Sequence, residues 1–276
     1  MLSPNEAIRR YVKSGGANKR WVAQALRMCM PVGRVLHVGG HTGEECVLYT
    51  NFGATQVTWV EASTPTFEQC KRFVGARRKK DKVVQATAWS KSGVEMELSH
   101  SRKTKQWYSG RSTLFELRHQ GKGTLQEPCT KETVMTTALD ELFAPGFETL
   151  VLDIQGAEFE ALKGMPNIVA EANNIVVEAC WVNVAGGPST MRDIIDWLWD
   201  FGFVMMYYRG YNEHWPFGDA CFKRIPLPEE YRIDKEGPIW TTDDATAAEE
   251  SASAPTPTEE SGASSAPNSN SENDPI

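Results

Sequence analysis

The stretch that most constrains this chain is residues 33–45, Gly33-Arg34-Val35-Leu36-His37-Val38-Gly39-Gly40-His41-Thr42-Gly43-Glu44-Glu45. Residues 35–38 form a short apolar run holding one histidine, which reads as a buried strand. The run breaks into Gly39-Gly40, and apolar residues resume at helical spacing from Cys46. Strand, glycine turn and helix in that order open an α/β domain that binds a nucleoside or dinucleotide. Glycines let a ligand reach the backbone, and the free N–H groups at a helix start attract an anion. A glycine turn in a fold with no such ligand has the same letters, so this loop alone does not decide.

Glu61 adds weight. Residues 56–60 are strand-like, and Glu61 stands at their carboxyl end, 18 residues after Gly43 (61 − 43). An acid about 20 residues on accepts ribose hydroxyls in doubly wound sheets. Two cofactors suit that geometry. Against G-x-G-x-x-G, Gly40 and Gly43 match while Val38 stands where the first glycine belongs, which disfavours a nicotinamide dinucleotide. S-adenosylmethionine has no pyrophosphate, needs only a looser glycine loop, and fits better.

The two ends of the chain differ in kind. Residues 241–276 carry no aromatic residue, no Lys or Arg, and eight acids. A segment so poor in apolar surface is expected to stay unfolded. Removing those acids leaves 36 − 8 = 28 against 29 bases, so the net charge of −7 belongs to the tail. The expected organisation is an N-terminal helical segment (1–31), one domain (32–225) with a basic insertion near 91–131, an extension (226–240) and the acidic tail. Six scattered cysteines without a C-x-x-C pair behave as small buried hydrophobes. With no signal-like or membrane-length apolar run, the expectation is a soluble, cytoplasmic protein without a membrane partner. No metal-ligand spacing is present, so no metal is expected.

Helical spacing recurs over residues 5–30, with a break near Ser14-Gly15-Gly16, and over 66–74. Residues 82–86 read as a third strand, and Thr87-Ala88-Trp89-Ser90 lies where an adenine would rest. Between Lys71 and Lys131 there are fifteen bases and five acids. With Trp107, Tyr108 and His119 interleaved, this region suits a polyanionic partner, and suits a solvated β-insertion almost as well. Residues 149–152 form a strand ending at Asp153, with a helix opening at Gly156-Ala157-Glu158. Residues 175–177 form another, ending at Glu178. After an amphipathic helix (191–201), two strands (203–208 and 220–223) flank a loop at 209–219.

Four blocks together resemble the FkbM-like family of S-adenosylmethionine-dependent methyltransferases. They are His37-Val38-Gly39-Gly40-His41-Thr42-Gly43-Glu44, Trp59-Val60-Glu61-Ala62, Thr137-Ala138-Leu139-Asp140-Glu141-Leu142, and residues 152–164 around Asp153-Ile154-Gln155-Gly156-Ala157-Glu158. Ser112-Thr113-Leu114 is similar to a short Ser-rich loop of the same family. The resemblance implies a class I, Rossmann-like fold: a mostly parallel seven-stranded sheet, an antiparallel C-terminal hairpin, and helices on both faces. It also implies methyl transfer, mostly to oxygen on small molecules and sugars. The chain departs from the pattern at His37, where an acid is usual, at Val151, where Lys is usual, and at Gln155, where Glu is frequent.

Candidate cofactor residues are therefore Gly39, Gly40, His41, Gly43, Glu61, Ala62, Ala88, Asp153 and Gln155. Asp153 and Glu178 are the candidate catalytic carboxylates, since open α/β sheets place ligands at the carboxyl ends of strands. Asp153 has an equal alternative as a helix cap, and Glu158 suits the first helical turn. His41 reads as loop lining. Trp181, Tyr211, His214, Trp215 and Phe217 could floor an acceptor site or simply pack. Three functions stay open: a small-molecule or glycan O-methyltransferase first, a nucleic-acid methyltransferase second, and a non-catalytic module that kept the fold.

Overall fold

The computed structural model describes residues 19–101, 112–115, 129–181, 190–212 and 215–225, with residues 3, 5, 6, 8 and 9 before them. The acidic tail, the 226–240 extension, Trp107, Tyr108, His119 and His214 lie outside the described residues. Helix α1 (Lys19–Met28) leads into β1 (Gly33–Val38), α2 (Cys46–Asn51), β2 (Ala54–Glu61), α3 (Thr64–Gly75) and β3 (Lys82–Gln85). Four strands follow: β4 (Thr87–Ala88), β5 (Glu95–Ser101), β6 (Ser112–Thr113) and β7 (Cys129–Thr137). A 3-10 turn (Leu139–Glu141) returns the chain to β8 (Thr149–Leu152), α4 (Glu158–Lys163) and α5 (Pro166–Glu171). Then come β9 (Asn174–Cys180), α6 (Met191–Trp199), β10 (Phe203–Asn212) and β11 (Trp215–Arg224).

The central sheet has the order β10-β11-β9-β8-β1-β2-β3. Strands β1, β2, β3, β8 and β9 are parallel to one another, and β11 runs antiparallel to both β9 and β10. This is the α/β architecture the resemblance implies. The chain winds outward from β1 in one direction and from β8 in the other, so their junction is the switch point where such sheets bind ligands. Among the described residues no helix is long and apolar enough to cross a membrane.

Strand side chains alternate between two cores, as the period of two requires. Leu36, Val38, Leu150, Leu152, Ile175 and Val177 face α4, α5 and α6. Val35, Trp59, Val151, Val176 and Cys221 face the other way, under α1, α2 and α3. Helix α1 is thus a core element on the β9–β11 side.

His37 belongs to that second core. It is 2% exposed, stacks on Trp59 at 4.8 Å between ring centroids, and has Nδ1 2.8 Å from the Tyr49 hydroxyl. Its register partner on β8 is Val151, also buried. The two departures from the family pattern are therefore interior neighbours, one residue short of the carboxyl ends of β1 and β8. Burial holds the imidazole down to about 3, so it is neutral in the fold.

The structure corrects the sequence reading in three places. Residues 209–219 are mostly strand, since β10 runs to Asn212 and β11 starts at Trp215. Strand β9 runs two residues past Glu178, because β11 continues to pair with it as far as Cys180 and all seven of its residues are buried. From the end of the basic insertion runs a strand the sequence did not suggest, β7, which joins β4, β5 and β6 in a second sheet ordered β4-β7-β5-β6. Its alternating Thr, Lys and Glu gave no apolar signal.

His37→Phe keeps the stack on Trp59 but loses the bond to Tyr49, costing about 1–3 kcal/mol near pH 8. The folded value lies below the ordinary 6.5, so the unfolded chain takes up the proton first. Wild type therefore loses about 1.4 kcal/mol per pH unit below 6.5, down to about 3. Phenylalanine lacks this dependence. The stability gap between the two proteins, read by urea unfolding, should shrink by roughly 2 kcal/mol between pH 6.5 and 5. A constant gap would mean that His37 protonates freely in the fold.

Candidate functional site

At the carboxyl ends of β1, β2 and β8 the loops part around a cleft of about 600 Å³, its open mouth included. Val38, Gly39 and His41 come from β1 and its loop, and Val60, Glu61 and Ala62 from β2. Asp153, Ile154, Gln155 and Ala157 come from the turn after β8. Ala86, Thr87, Ala88 and Leu98 close the side toward the second sheet, with Ser112 and Leu114. Of the predicted residues, Gly39, His41, Glu61, Ala62, Ala88, Asp153 and Gln155 meet here.

Gly40 and Gly43 are not among the lining residues. A Cβ at Gly43 would lie 2.5 Å from a Val74 methyl, and one at Gly40 would press on Trp59. These glycines seat the loop against α3 and β2. Gly39 is different: it has φ +89°, and a Cβ there would stand 1.9 Å from the Asp153 carbonyl oxygen. The loops after β1 and β8 touch backbone to backbone at that point. Leu98 and Ile154 also line the cleft without having been foreseen. Alternation along β5 marks Leu98 as inward-facing, whereas nothing local marks Ile154.

Glu61 is 8% exposed at the cleft wall. Its Oε2 accepts the His41 N–H at 2.8 Å, and its Oε1 accepts the Ser63 N–H at 3.0 Å. Burial raises its carboxyl to about 7, against the pull of those N–H groups. Each oxygen has capacity for another donor. His41 reaches this bond with φ +43°, a left-handed backbone that a non-glycine residue adopts at a cost.

Gln155, at φ +56°, shares this conformation with His41. Its side-chain amide donates to Asp153 Oδ1 at 2.7 Å and to Glu178 Oε2. Glu178 stands behind the turn, 8% exposed and joined to it through Gln155. Burial at the cleft floor, and then the Glu178 carboxylate, hold the Asp153 carboxyl well above the usual range. The Asp153 side chain still opens to solvent on its cleft side, which screens part of the burial effect.

The alternative role for Asp153 as a helix cap is taken by another residue. The N-cap of α4 is Ala157, without a side-chain cap bond. Glu158 instead reaches back, accepting the Ile154 N–H at 2.9 Å and the Gly156 N–H at 2.9 Å. Burial raises Glu158 to about 7. Trp181 is 42% exposed and meets Tyr208 edge to face at 5.5 Å. The side chains of Tyr211, Trp215 and Phe217 lie outside the described residues. In the basic cluster at 77–80, Arg77 lies over the Phe73 ring at 3.6 Å and Arg78 pairs with Asp81 at 2.7 Å.

The profile of the methyltransferase FkbM domain matches residues 37–205. Among solved structures, a proposed RNA methyltransferase from Pyrococcus horikoshii is 12% identical, over 82% of this chain and 98% of its own, with a TM-score of 0.47. Methyltransferase FkbM from Methylobacillus flagellatus is 10% identical over 79% of this chain, which spans 58% of that protein, with a TM-score of 0.46. TrmK from M. capricolum, solved with S-adenosylhomocysteine, is 6% identical over 75% of this chain and 70% of its own, with a TM-score of 0.43. No curated protein matches the chain in sequence.

Gly39 and Gly93 offer a paired measurement. Both have positive φ, but a Cβ at Gly93 would meet nothing within 4 Å. Gly93→Ala should cost about 1 kcal/mol, the backbone strain alone. Gly39→Ala adds a clash with a carbonyl that only backbone movement relieves, and should cost at least about 2 kcal/mol more. Equal costs in denaturant unfolding would show that the two loops are not held in contact.

Proposed function

The chain belongs to the methyltransferase FkbM domain family, and we propose that it transfers the methyl group of S-adenosylmethionine to a hydroxyl of a small-molecule or glycan acceptor. The observation that carries this reading is the placing of Glu61 and Asp153 on one cleft at the sheet's switch point. Glu61 offers a buried carboxylate to vicinal ribose hydroxyls. Val60, Ala86, Ala88, Leu98 and Leu114 offer apolar surface to a flat purine. The donor and acceptor chemistry of the cleft thus suits this cofactor.

Bound there, S-adenosylmethionine would supply an electrophilic methyl group. The chain's own part is to hold the acceptor in line, which is worth several kcal/mol, and to take its proton. Asp153, open to the cleft, accepts the hydroxyl proton as the acceptor oxygen takes the methyl, leaving S-adenosylhomocysteine. Burial and the neighbouring Glu178 carboxylate raise the Asp153 carboxyl, which makes its ionised form a stronger proton acceptor than an ordinary carboxylate. Glu178 is the supporting carboxylate. A hydroxylated acceptor is favoured over a polyanion because the turn presents carboxyl groups, and because Arg77 and Arg78 serve local packing.

Two measurements test the reading. Ribose hydroxyls donating to Glu61 favour its ionised form, so ligand binding must expel the proton it carries below about 7. S-adenosylhomocysteine affinity, by titration calorimetry, should fall about tenfold for each pH unit below 7 and level off above it. Glu61→Gln should weaken binding at pH 8 and flatten the dependence. No binding at millimolar ligand would leave only a non-catalytic role.

Asp153→Asn keeps shape but accepts no proton. Turnover against a panel of hydroxylated acceptors should fall by roughly 10²–10⁴-fold, with cofactor affinity little changed. A rate near that of wild type would pass the role to Glu178.

A further inference from the structure

Gln155 stands where the family pattern frequently has an acid, and its surroundings fix it unusually well. Its carbonyl accepts the Thr113 hydroxyl at 3.0 Å. The N–H groups on either side of it, at Ile154 and Gly156, are both held by the Glu158 carboxylate. The left-handed backbone is thus imposed from three directions, which is how strained residues persist at working sites. From that fixed base the side chain sends one amide N–H to Asp153 and the other to Glu178.

We propose that Gln155 is a positioning residue, whose amide spans the Asp153 and Glu178 carboxyl groups and holds them as one proton-accepting pair. An amide nitrogen in this setting only donates, so it relays no proton. It orients one oxygen of each carboxyl toward itself, so both oxygens lie within hydrogen-bond reach of the same nitrogen. Two carboxyls this close share a proton and titrate as a pair. Other acids bear on them too. The charges of Glu45, Glu61 and Glu158 oppose a charge on Asp153. Glu178 faces Asp219 across the β9–β11 ladder, with Arg209 opposite Asp219 on β10. Against that negative field the Gln155 bond is the contact that pulls the Asp153 carboxyl back down. The catalytic use of the pair rests on the methyltransferase reading, but its titration does not.

The test is carbon NMR of the full chain labelled at Asp and Glu carboxyls, with resonances assigned by Asp153→Asn and Glu178→Gln. In wild type both groups should show the same two midpoints. Gln155→Met removes both N–H donors, and the midpoints should rise by roughly half a unit to one unit, the worth of a lost hydrogen bond. Gln155→Asn tolerates the left-handed backbone at least as well but is too short to span both carboxyls, so it should shift at least one of them. Midpoints unchanged in both variants, or independent midpoints in wild type, would overturn the proposal. Coupled titration together with no S-adenosylhomocysteine binding by wild type would instead remove the methyltransferase reading and leave the pair standing.

Discussion

The cleft depends on two stretches of backbone meeting with no side chain between them. Gly39 lies against the Asp153 carbonyl, and the Asp153 N–H donates to the Val38 oxygen at 3.0 Å. Gly39 and Gly40 both donate to the Val60 oxygen at 2.9 Å. These bonds tie the ends of β1, β2 and β8 into one ring of main chain. Glu61 and Asp153 come from strands on opposite sides of β1, yet they reach the same space because the ring holds. A methyl group at residue 39 would press on the turn that carries Asp153, Ile154 and Gln155.

Around that ring the site gathers carboxyl groups where burial opposes their charge. Among the described residues no lysine or arginine lines the cleft. The compensation is backbone: Glu61 and Glu158 each accept two main-chain N–H groups, and Asp153 accepts the Gln155 amide. Partial charges of this kind lower the cost of a buried carboxylate without cancelling its charge. The site's charge is consequently adjustable near neutral pH, and a ligand that donates hydrogen bonds draws out the ionised forms.

Much of this was legible in the sequence. The glycine turn after an apolar strand, the acid at the end of β2 and the Asp153 turn are local patterns with local causes. What escaped was whatever depends on neighbours. Gly39, Gly40 and Gly43 look alike as letters, but only Gly39 meets the opposing loop, while the others answer to Trp59 and Val74. Glu178 looked like a strand end because a polar residue broke an apolar run, yet the ladder with β11 carries β9 onward. Gly210, Asn212 and Gly218 marked a loop where cross-strand hydrogen bonding prevails. The left-handed turn at Gln155 has no signal of its own, since the bonds that impose it come from Thr113, Glu158 and Glu178.

His37 and Val151 appear in the sequence as two unrelated losses, of an acid and of a lysine. Register pairing makes them one exchange, because they sit side by side on β1 and β8. An acid and a lysine there would neutralise each other; a histidine kept neutral beside a valine, stacked on Trp59, needs no counter-charge. Either arrangement is consistent, but a chain with only one of the two changed would bury a lone charge, at a cost of several kcal/mol. The two positions are therefore coupled in the fold: the residue tolerated at one is set by whether the other can neutralise its charge.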